Sequence, residues 1–402
     1  MNRVKINFLG IKFKMSLEKN IFAGFFDSLY TKILIPFFVR KNKLYIENKK
    51  DNIVRRLFIT TGNISLINNI SIINQFHLDD EKSENDIVVW SGLANSDFLN
   101  LSKEIFDLFG LNKYFSFVGS SKNFHQYLIK NFLTDYDEVY FINLDSLGKI
   151  IQKIYKYSKL FLTDEGALTL IPIKSIDYKG VSKIIATRYL GKMDYLEFPP
   201  EIAEKFIELD KKEFLKVSDI CTKLRPLEYD IKSEDRWIIL CGTFNAWRGA
   251  TFEELLASQK EIAEKLISKG YKILFKPHPR DRQKYEENNN FKIFNTKISL
   301  ECYRLNNVMA VVSIFSSVSL QIYHFQNVPS FILTEKIKDI DAVSYRIVAS
   351  YAPSVELLYA IDTNCSSQEL QQKIREVYQN WLSEKPMLSE NRELIALYNR
   401  KN

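Results

Sequence analysis

His278 lies in a segment whose residue types suit phosphate chemistry: residues 276–280 read Lys-Pro-His-Pro-Arg and follow an apolar, strand-like run at 271–275. Proline fixes its own φ and keeps the preceding residue out of the helical region, so this backbone is held extended. An imidazole can donate a hydrogen bond or a proton near neutral pH, and Lys276 and Arg280 add positive charge. The segment therefore predicts a loop in which His278 stabilises or protonates a leaving phosphate; an ordinary proline-rich loop is the alternative.

A pair of serines, Ser316 and Ser317, follows the apolar run 308–312. Hydroxyl groups and free backbone N–H groups at the start of a helix form an anion site. The same serines would also serve if they only capped the helix. Gly242 and Thr243 follow another apolar run and are candidates for a backbone approach to a phosphate.

Two adjacent carboxylates, Asp164 and Glu165, precede Gly166 at the end of the apolar run 160–162. A carboxylate at the carboxyl end of a strand can act as general base on an acceptor hydroxyl. A solvated polar turn is the competing interpretation of these residues.

Motifs for other chemistries are absent or weak in the sequence. It has no P-loop, G-x-G-x-x-G, H-E-x-x-H or G-x-S-x-G element. Two D-x-D patterns, at 135–137 and 339–341, fit magnesium beside a nucleotide sugar but recur by chance. The four cysteines are widely spaced, which argues against a disulfide framework or a zinc site and favours a reducing cytoplasm. We expect no metal and no cofactor.

The length of 402 residues suits two domains, and 46% hydrophobic with 26% charged residues is normal for a folded protein. Short apolar runs alternate with helical patterns, first from residue 56 and again from residue 236. This alternation predicts an α/β protein with two largely parallel sheets and a cleft at the carboxyl ends of their strands. The predicted division is an N-terminal segment 1–55, a first Rossmann-like domain 56–230, a second 231–365, and a closing helical segment 366–402.

The N-terminal segment is basic and rich in aromatic residues. Residues 1–50 hold eleven Lys or Arg against three acidic residues, a net charge of +8. The apolar runs 21–26 and 33–38 are too short to span a bilayer, which needs about 20 apolar residues. The composition predicts contact with an anionic membrane surface; a first strand and helix whose charges face water would give the same pattern. No nucleic-acid-binding module is recognisable, so nucleic acid is not an expected partner.

The order of these motifs, Asp-Glu-Gly in the first domain and then His-Pro and Ser-Ser in the second, resembles the bacterial sialyltransferases. That group includes polysialyltransferases and lipooligosaccharide sialyltransferases. The resemblance implies the two-domain GT-B fold, a CMP-activated nonulosonic acid donor, inversion at the anomeric carbon and no metal. It makes Glu165, or Asp164, the base, and lets His278 stabilise the departing CMP. Two further roles follow from it: Ser316 and Ser317 bind the CMP phosphate, and Gly166 and Pro279 shape the two turns.

The expected function is thus an inverting glycosyltransferase that moves sialic acid, or a related pseudaminic or legionaminic acid, onto a capsule or lipooligosaccharide glycan. We expect it in the cytoplasm, peripheral on the inner face of the plasma membrane. Three alternatives stay open. A CDP-polyol phosphotransferase of the teichoic acid type has a similar His-Pro loop and would use His278 as base. A non-catalytic glycan-assembly protein would not need His278, and a nucleotide-sugar 2-epimerase would turn over without an acceptor.

Overall fold

A computed structural model describes most of the chain between residues 3 and 384. The described residues are 3–8, 11–16, 35–77, 80, 82–91, 96–119, 124, 127–128, 131, 133–142, 145–163, 178, 180–186, 200–227, 229, 231–242, 251–278, 281, 283–305, 307–314, 318–333 and 352–384. Within these ranges no helix combines the length and apolar character needed to cross a bilayer.

The described residues of the N-terminal segment form an antiparallel pair of strands and a helix. Strand β1 (Arg3–Phe8) pairs with β2 (Ile11–Ser16), and helix α1 (Ile35–Asn48) follows. The buried side of α1 carries Ile35 and Phe38, which join the core beneath the first sheet.

The first sheet has seven parallel strands in the order β5-β4-β3-β6-β7-β8-β9. Its strands are β3 (Val54–Thr60), β4 (Ser83–Ser91), β5 (Lys113–Val118), β6 (Glu138–Ile142), β7 (Lys159–Thr163), β8 (Lys183–Ala186) and β9 (Phe206–Glu208). The helices that accompany it are α2 (Asn63–Phe76), α3 (Ser96–Leu108), α4 (Asp145–Ile154) and α5 (Pro200–Ala203). Most of these strands are buried on both faces, which is why they read as continuous apolar runs.

The second sheet has five parallel strands in the order β12-β11-β10-β13-β14. They are β10 (Trp237–Cys241), β11 (Lys272–Lys276), β12 (Phe291–Ile293), β13 (Ala310–Ser313) and β14 (Ser330–Ile332). Helix α6 (Lys211–Leu224) comes before this sheet; α7 (Phe252–Ser268), α8 (Val318–Gln326), α9 (Val355–Tyr359) and α10 (Ser367–Glu384) accompany it. Two parallel sheets with helices confirm the predicted α/β class and its two Rossmann-like domains; the predicted boundaries at 55, 230 and 365 stay predictions.

Local sequence explains the limits of α7. Thr251 accepts a hydrogen bond from the N–H of Glu254, and the Glu254 carboxylate accepts one from the N–H of Thr251 at 2.7 Å, which closes a capping box. The helix ends before Gly270, whose φ of +85° suits glycine and turns the chain into β11.

One apolar core joins the two domains through α6. Phe214 of α6 stacks on Phe325 of α8 with ring centroids 3.7 Å apart. The Ser218 hydroxyl donates to the carbonyl of Cys302, and Arg304 donates two hydrogen bonds to Asp219. Since buried residues from both sheets belong to this cluster, the domains are packed against each other through α6 rather than joined by a flexible linker.

A buried polar network lies near the amino end of β3. Arg56 donates to Glu138 at 2.8 Å and to Asp80 at 2.7 Å. Nε2 of His77 lies 2.8 Å from the Tyr140 hydroxyl. Burial, together with the Arg56 charge, lowers the pKa of His77 to about 4.

This shift predicts acid-sensitive stability. An unfolded chain protonates His77 near its ordinary pKa of about 6.5, whereas the folded protein resists protonation down to about 4. The contribution of neutral His77 to the free energy of unfolding should therefore be complete above pH 6.5 and should be lost as the pH drops from 6.5 to 4. Urea unfolding at several pH values in this range measures how steeply the free energy of unfolding changes with pH. In the His77→Gln variant this dependence should be shallower. Parallel slopes in both proteins would contradict this assignment.

Candidate active site

Strand register in the second sheet places the predicted phosphate-binding segments at one edge. Cys241, the last residue of β10, pairs with Lys276 of β11 on one side and with Ser313 of β13 on the other. The His278 loop and the segment leading to the predicted serines therefore leave the sheet on either side of Gly242. The carboxyl edge of a doubly wound sheet is where ligands bind in this architecture.

Gly242 fixes the start of the His278 loop by close contact. Its N–H donates to the carbonyl of Lys276 at 2.8 Å. A Cβ at this position would lie 3.1 Å from the Lys276 oxygen and 3.2 Å from the His278 nitrogen. The sequence predicts Gly242 as a phosphate contact; the described structure gives it a steric role, since it lets the β10 end approach the loop.

A cavity of about 730 Å³ opens beside His278. Its size is in the range of ligand pockets, about 300–1,000 Å³. Three lysines, Lys276, Lys284 and Lys297, line it, so its charge suits an anionic ligand. The remaining lining residues are Asn63, Pro277, His278, Asp281, Gln283, Tyr285, Glu287 and 293–296, 298 and 299.

Both carboxylates of this cavity are engaged by the protein. Asp281 accepts hydrogen bonds from the Tyr285 hydroxyl at 2.6 Å and from the N–H of Gln283 at 2.9 Å. Glu287 accepts one from the N–H of Ile293 at 2.7 Å. These bonds hold the segment after His278 in place, and they reduce the repulsion that free carboxylates would exert on an anion.

Asn63, which sequence reasoning missed, brings the first domain to the same cavity. It is the first residue of α2, at the carboxyl end of β3. The Ser65 hydroxyl fixes this turn by accepting hydrogen bonds from the N–H groups of Thr61 and Gly62 at 2.9 and 3.0 Å. Among the described residues, the buried Oδ1 of Asn63 has no hydrogen-bond partner. The signal available in the sequence was a Thr-Thr-Gly-Asn turn directly after a strand.

Several predicted site residues lie outside the described part of the chain. They are Asp164, Glu165, Gly166, Thr243, Pro279, Arg280, Ser316 and Ser317. Thr163, immediately before the carboxylate pair, ends β7 and is buried. Strand β7 pairs with β6, which pairs with β3, so the chain enters the 164–166 segment at the same sheet edge as Asn63.

Other candidate groups take structural roles. Asp137, of the first D-x-D pattern, accepts hydrogen bonds from Tyr45, from the N–H of Arg55 and from Lys49. Burial raises the pKa of the Cys241 thiol to about 12, which makes it a poor nucleophile. No cluster of His, Cys, Asp or Glu that could hold a metal ion occurs within the described ranges; the second D-x-D pattern, at 339–341, falls outside them.

A family comparison identifies the chain. The model of the alpha-2,8-polysialyltransferase (POLYST) family matches residues 104–335, more than half of the protein. The chain belongs to this family. The match spans the sequence motifs at 164–166, 276–280 and 316–317, and it confirms the resemblance seen in the sequence. The protein is a sialyltransferase-type glycosyltransferase, and its family implies a nucleotide-sugar donor and a glycan acceptor.

Solved structures show the fold. A protein from Listeria monocytogenes, described as a UDP-N-acetylglucosamine 2-epimerase, is 10% identical, with a TM-score of 0.50 over 81% of this chain and 91% of its own. The UDP-N-acetylglucosamine 2-epimerase of Rickettsia bellii is 15% identical, with a TM-score of 0.47 over 87% and 95%. A Siraitia grosvenorii UGT transferase in complex with UDP is 10% identical, with a TM-score of 0.44 over 87% and 94%. The chain thus has the GT-B arrangement of two Rossmann-like domains. No protein of curated function matches the sequence.

Gly242→Ala should lower transfer activity about tenfold, because the new Cβ would crowd the Phe275 ring, the Lys276 carbonyl and the His278 nitrogen, which must give way by a few tenths of an ångström. Steady-state kinetics measure this loss. Gly270→Ala is the matched control: it meets no neighbouring atom but strains a positive φ, so it should reduce thermal stability while activity per folded molecule is kept. Equal activity in the two variants would rule out the steric role of Gly242.

Asn63→Asp should weaken donor binding without lowering the stability of the fold. A carboxylate in the first turn of α2 interacts favourably with the helix dipole, so the melting temperature should stay the same or rise. The same charge faces a cavity built for anions, so KM for the nucleotide-sugar donor should rise about tenfold. Asn63→Ser, which adds no charge, is the comparison. If stability and activity fall together in the Asp variant, Asn63 is structural only.

Proposed function

We propose that the protein is an inverting, metal-independent transferase of sialic acid or a related nonulosonic acid. Its donor is the CMP-activated sugar, and its acceptor is a hydroxyl of a capsule or lipooligosaccharide glycan at the cytoplasmic side of the membrane. The observation that carries the proposal is the cavity in which Lys276 and His278 of the second domain meet Asn63 of the first. Membership in the polysialyltransferase family supports the sugar class.

The reaction needs one set of groups at the departing CMP phosphate and a base at the acceptor hydroxyl. The bond between the anomeric carbon and the CMP phosphate oxygen breaks with the electron pair moving to the phosphate. A tertiary anomeric centre ionises readily, so negative charge develops on that phosphate early. Lys276 supplies fixed positive charge, and His278 donates a hydrogen bond or a proton to the departing oxygen.

Bond formation and proton transfer at the acceptor complete the reaction. The acceptor hydroxyl oxygen forms the new bond to the anomeric carbon on the face opposite CMP, and its proton passes to Glu165 or Asp164. Either carboxylate can take this role. Ser316 and Ser317 are proposed to bind the CMP phosphate, with Thr243, Pro279 and Arg280 beside it, while Gly166 shapes the acceptor turn.

A donor screen that follows nucleotide release tests this proposal. CMP-sialic acid, CDP-glycerol and UDP-N-acetylglucosamine are each offered with and without a sialylated acceptor, in the presence and absence of EDTA. We expect acceptor-dependent CMP release that EDTA leaves unchanged. Glycerol phosphate transfer would establish the polyol phosphotransferase instead, and UDP-sugar turnover without acceptor would establish an epimerase.

His278→Ala should lower kcat roughly a hundredfold, the usual effect of removing one donor that stabilises developing charge. Binding of an unreactive analogue of the intact CMP-sugar, measured by calorimetry, should weaken much less, because the loss is concentrated in the transition state, where the charge on the phosphate develops. His324→Ala, at a half-buried histidine of α8, is the matched control and should keep most activity. Full transfer activity in the His278 variant would refute the mechanism.

A further inference from the structure

Helix α1 presents an unusual exposed face. Its buried side packs on the first domain through Ile35 and Phe38. On the opposite side, Phe37 and Leu44 are 47% and 46% exposed. Arg40 and Lys41 are exposed between them, in the i, i+3, i+4, i+7 spacing that puts all four on one face. Large apolar side chains thus stand in solvent beside two cations.

A stripe of cations lies on the neighbouring helix α4 and the turn after it. Lys149, Lys153 and Lys156 are exposed at positions i, i+4 and i+7. The three line a shallow surface pocket together with Leu160. This spacing gathers three positive charges into one row.

Tyr157 connects the two features into one surface. Its ring, 39% exposed, has the ammonium of Lys43 at 5.8 Å and that of Lys156 at 5.9 Å from its centroid. Helix α1 packs against α4, and Asn42 donates to the Ser158 hydroxyl at 3.0 Å. We call this surface the basic-aromatic face; it consists of Phe37, Arg40, Lys41, Lys43, Leu44, Lys149, Lys153, Lys156 and Tyr157.

The charge of this face is strongly unbalanced. It carries six cations, and the acid that α1 contributes beside them is Glu47, 3.4 Å from Lys43. The sequence before α1 adds further Lys and Arg, which gives residues 1–50 their net charge of +8. An anionic surface is the complementary partner.

We propose that the basic-aromatic face docks the protein on an anionic lipid bilayer. Cations attract acidic head groups, while exposed Phe, Leu and Tyr side chains enter the boundary between head groups and acyl chains. A polyanionic glycan would satisfy the lysines but would leave Phe37 and Leu44 without an apolar environment. The mixture of both residue classes on one face therefore favours lipid.

The position of the face leaves the cleft accessible. Tyr157 and Ser158 immediately precede β7, and Asp137, which anchors the end of α1, immediately precedes β6. The face therefore lies toward the amino ends of these strands, whereas the cavity lies at the carboxyl ends. A docked protein keeps the cavity open to glycans, and the docking does not depend on the identity of the donor.

Vesicle co-sedimentation of the full chain tests the proposal. We expect binding to phosphatidylcholine vesicles that contain phosphatidylglycerol, much weaker binding to pure phosphatidylcholine, and a loss of binding as salt is raised. Lys149, Lys153 and Lys156 changed together to Gln should weaken binding roughly a hundredfold, at about fivefold for each charge. Phe37→Ala with Leu44→Ala should weaken it roughly tenfold, because apolar insertion is lost.

A matched control removes the same charge elsewhere: Lys216, Lys260 and Lys269, three exposed lysines on or next to other helices, are changed to Gln and should leave vesicle binding unchanged. Binding to soluble oligosialic acid is measured in parallel. Equal loss in the control variant, or equal binding to both vesicle types, would overturn the proposal. A third pattern would also overturn it. If the Phe37→Ala, Leu44→Ala variant binds vesicles normally and the triple lysine variant binds oligosialic acid more weakly, the surface binds glycan and not lipid. Vesicle binding without CMP release would count against the proposed function alone.

Discussion

The register of β10 between β11 and β13 is the constraint on which the site depends. Because Cys241 pairs with Lys276 and with Ser313, the residues that follow three parallel strands must emerge at one edge. The bond from the Gly242 N–H to the Lys276 carbonyl carries that alignment one residue past the sheet and into the His278 loop. A side chain at 242 would push this junction apart, so backbone packing positions the imidazole before any ligand arrives.

The cavity at this edge is also lined by the first domain, which is held in place by helices α2 and α6. Helix α6 packs between α2 and the second domain, with Phe214 stacked on Phe325 and Ser218 bonded to Cys302. Helix α2 starts at Asn63, so the packing that buries its length also fixes where its first residue faces. Apolar burial away from the cavity thereby positions Asn63 relative to the His278 loop.

Sequence patterns predicted the strands well and some helices poorly. Strands such as β10 and β13 are covered on both faces, so their sequences are short apolar runs that stand out. The sequence of helix α2 shows no helical period because the helix is buried nearly all round: Asn69, Ile70 and Ser71 are all inaccessible, and no polar stripe marks an exposed face. Of the predicted site, His278, Lys276 and Gly242 meet at one place in the described structure, while the carboxylate and serine assignments stay predictions.

The sequence by itself determined that a His-Pro loop would follow a buried strand, that two α/β series would be present, and that the N-terminal segment would be basic. Local residue types and their periodicity carry this information. The tertiary structure alone decided that Asn63 faces the His278 cavity, that Gly242 acts by leaving space, and that Tyr157 joins two basic helices into one surface. These are contacts between residues far apart in the chain, and their geometry arises from packing, which no local pattern encodes.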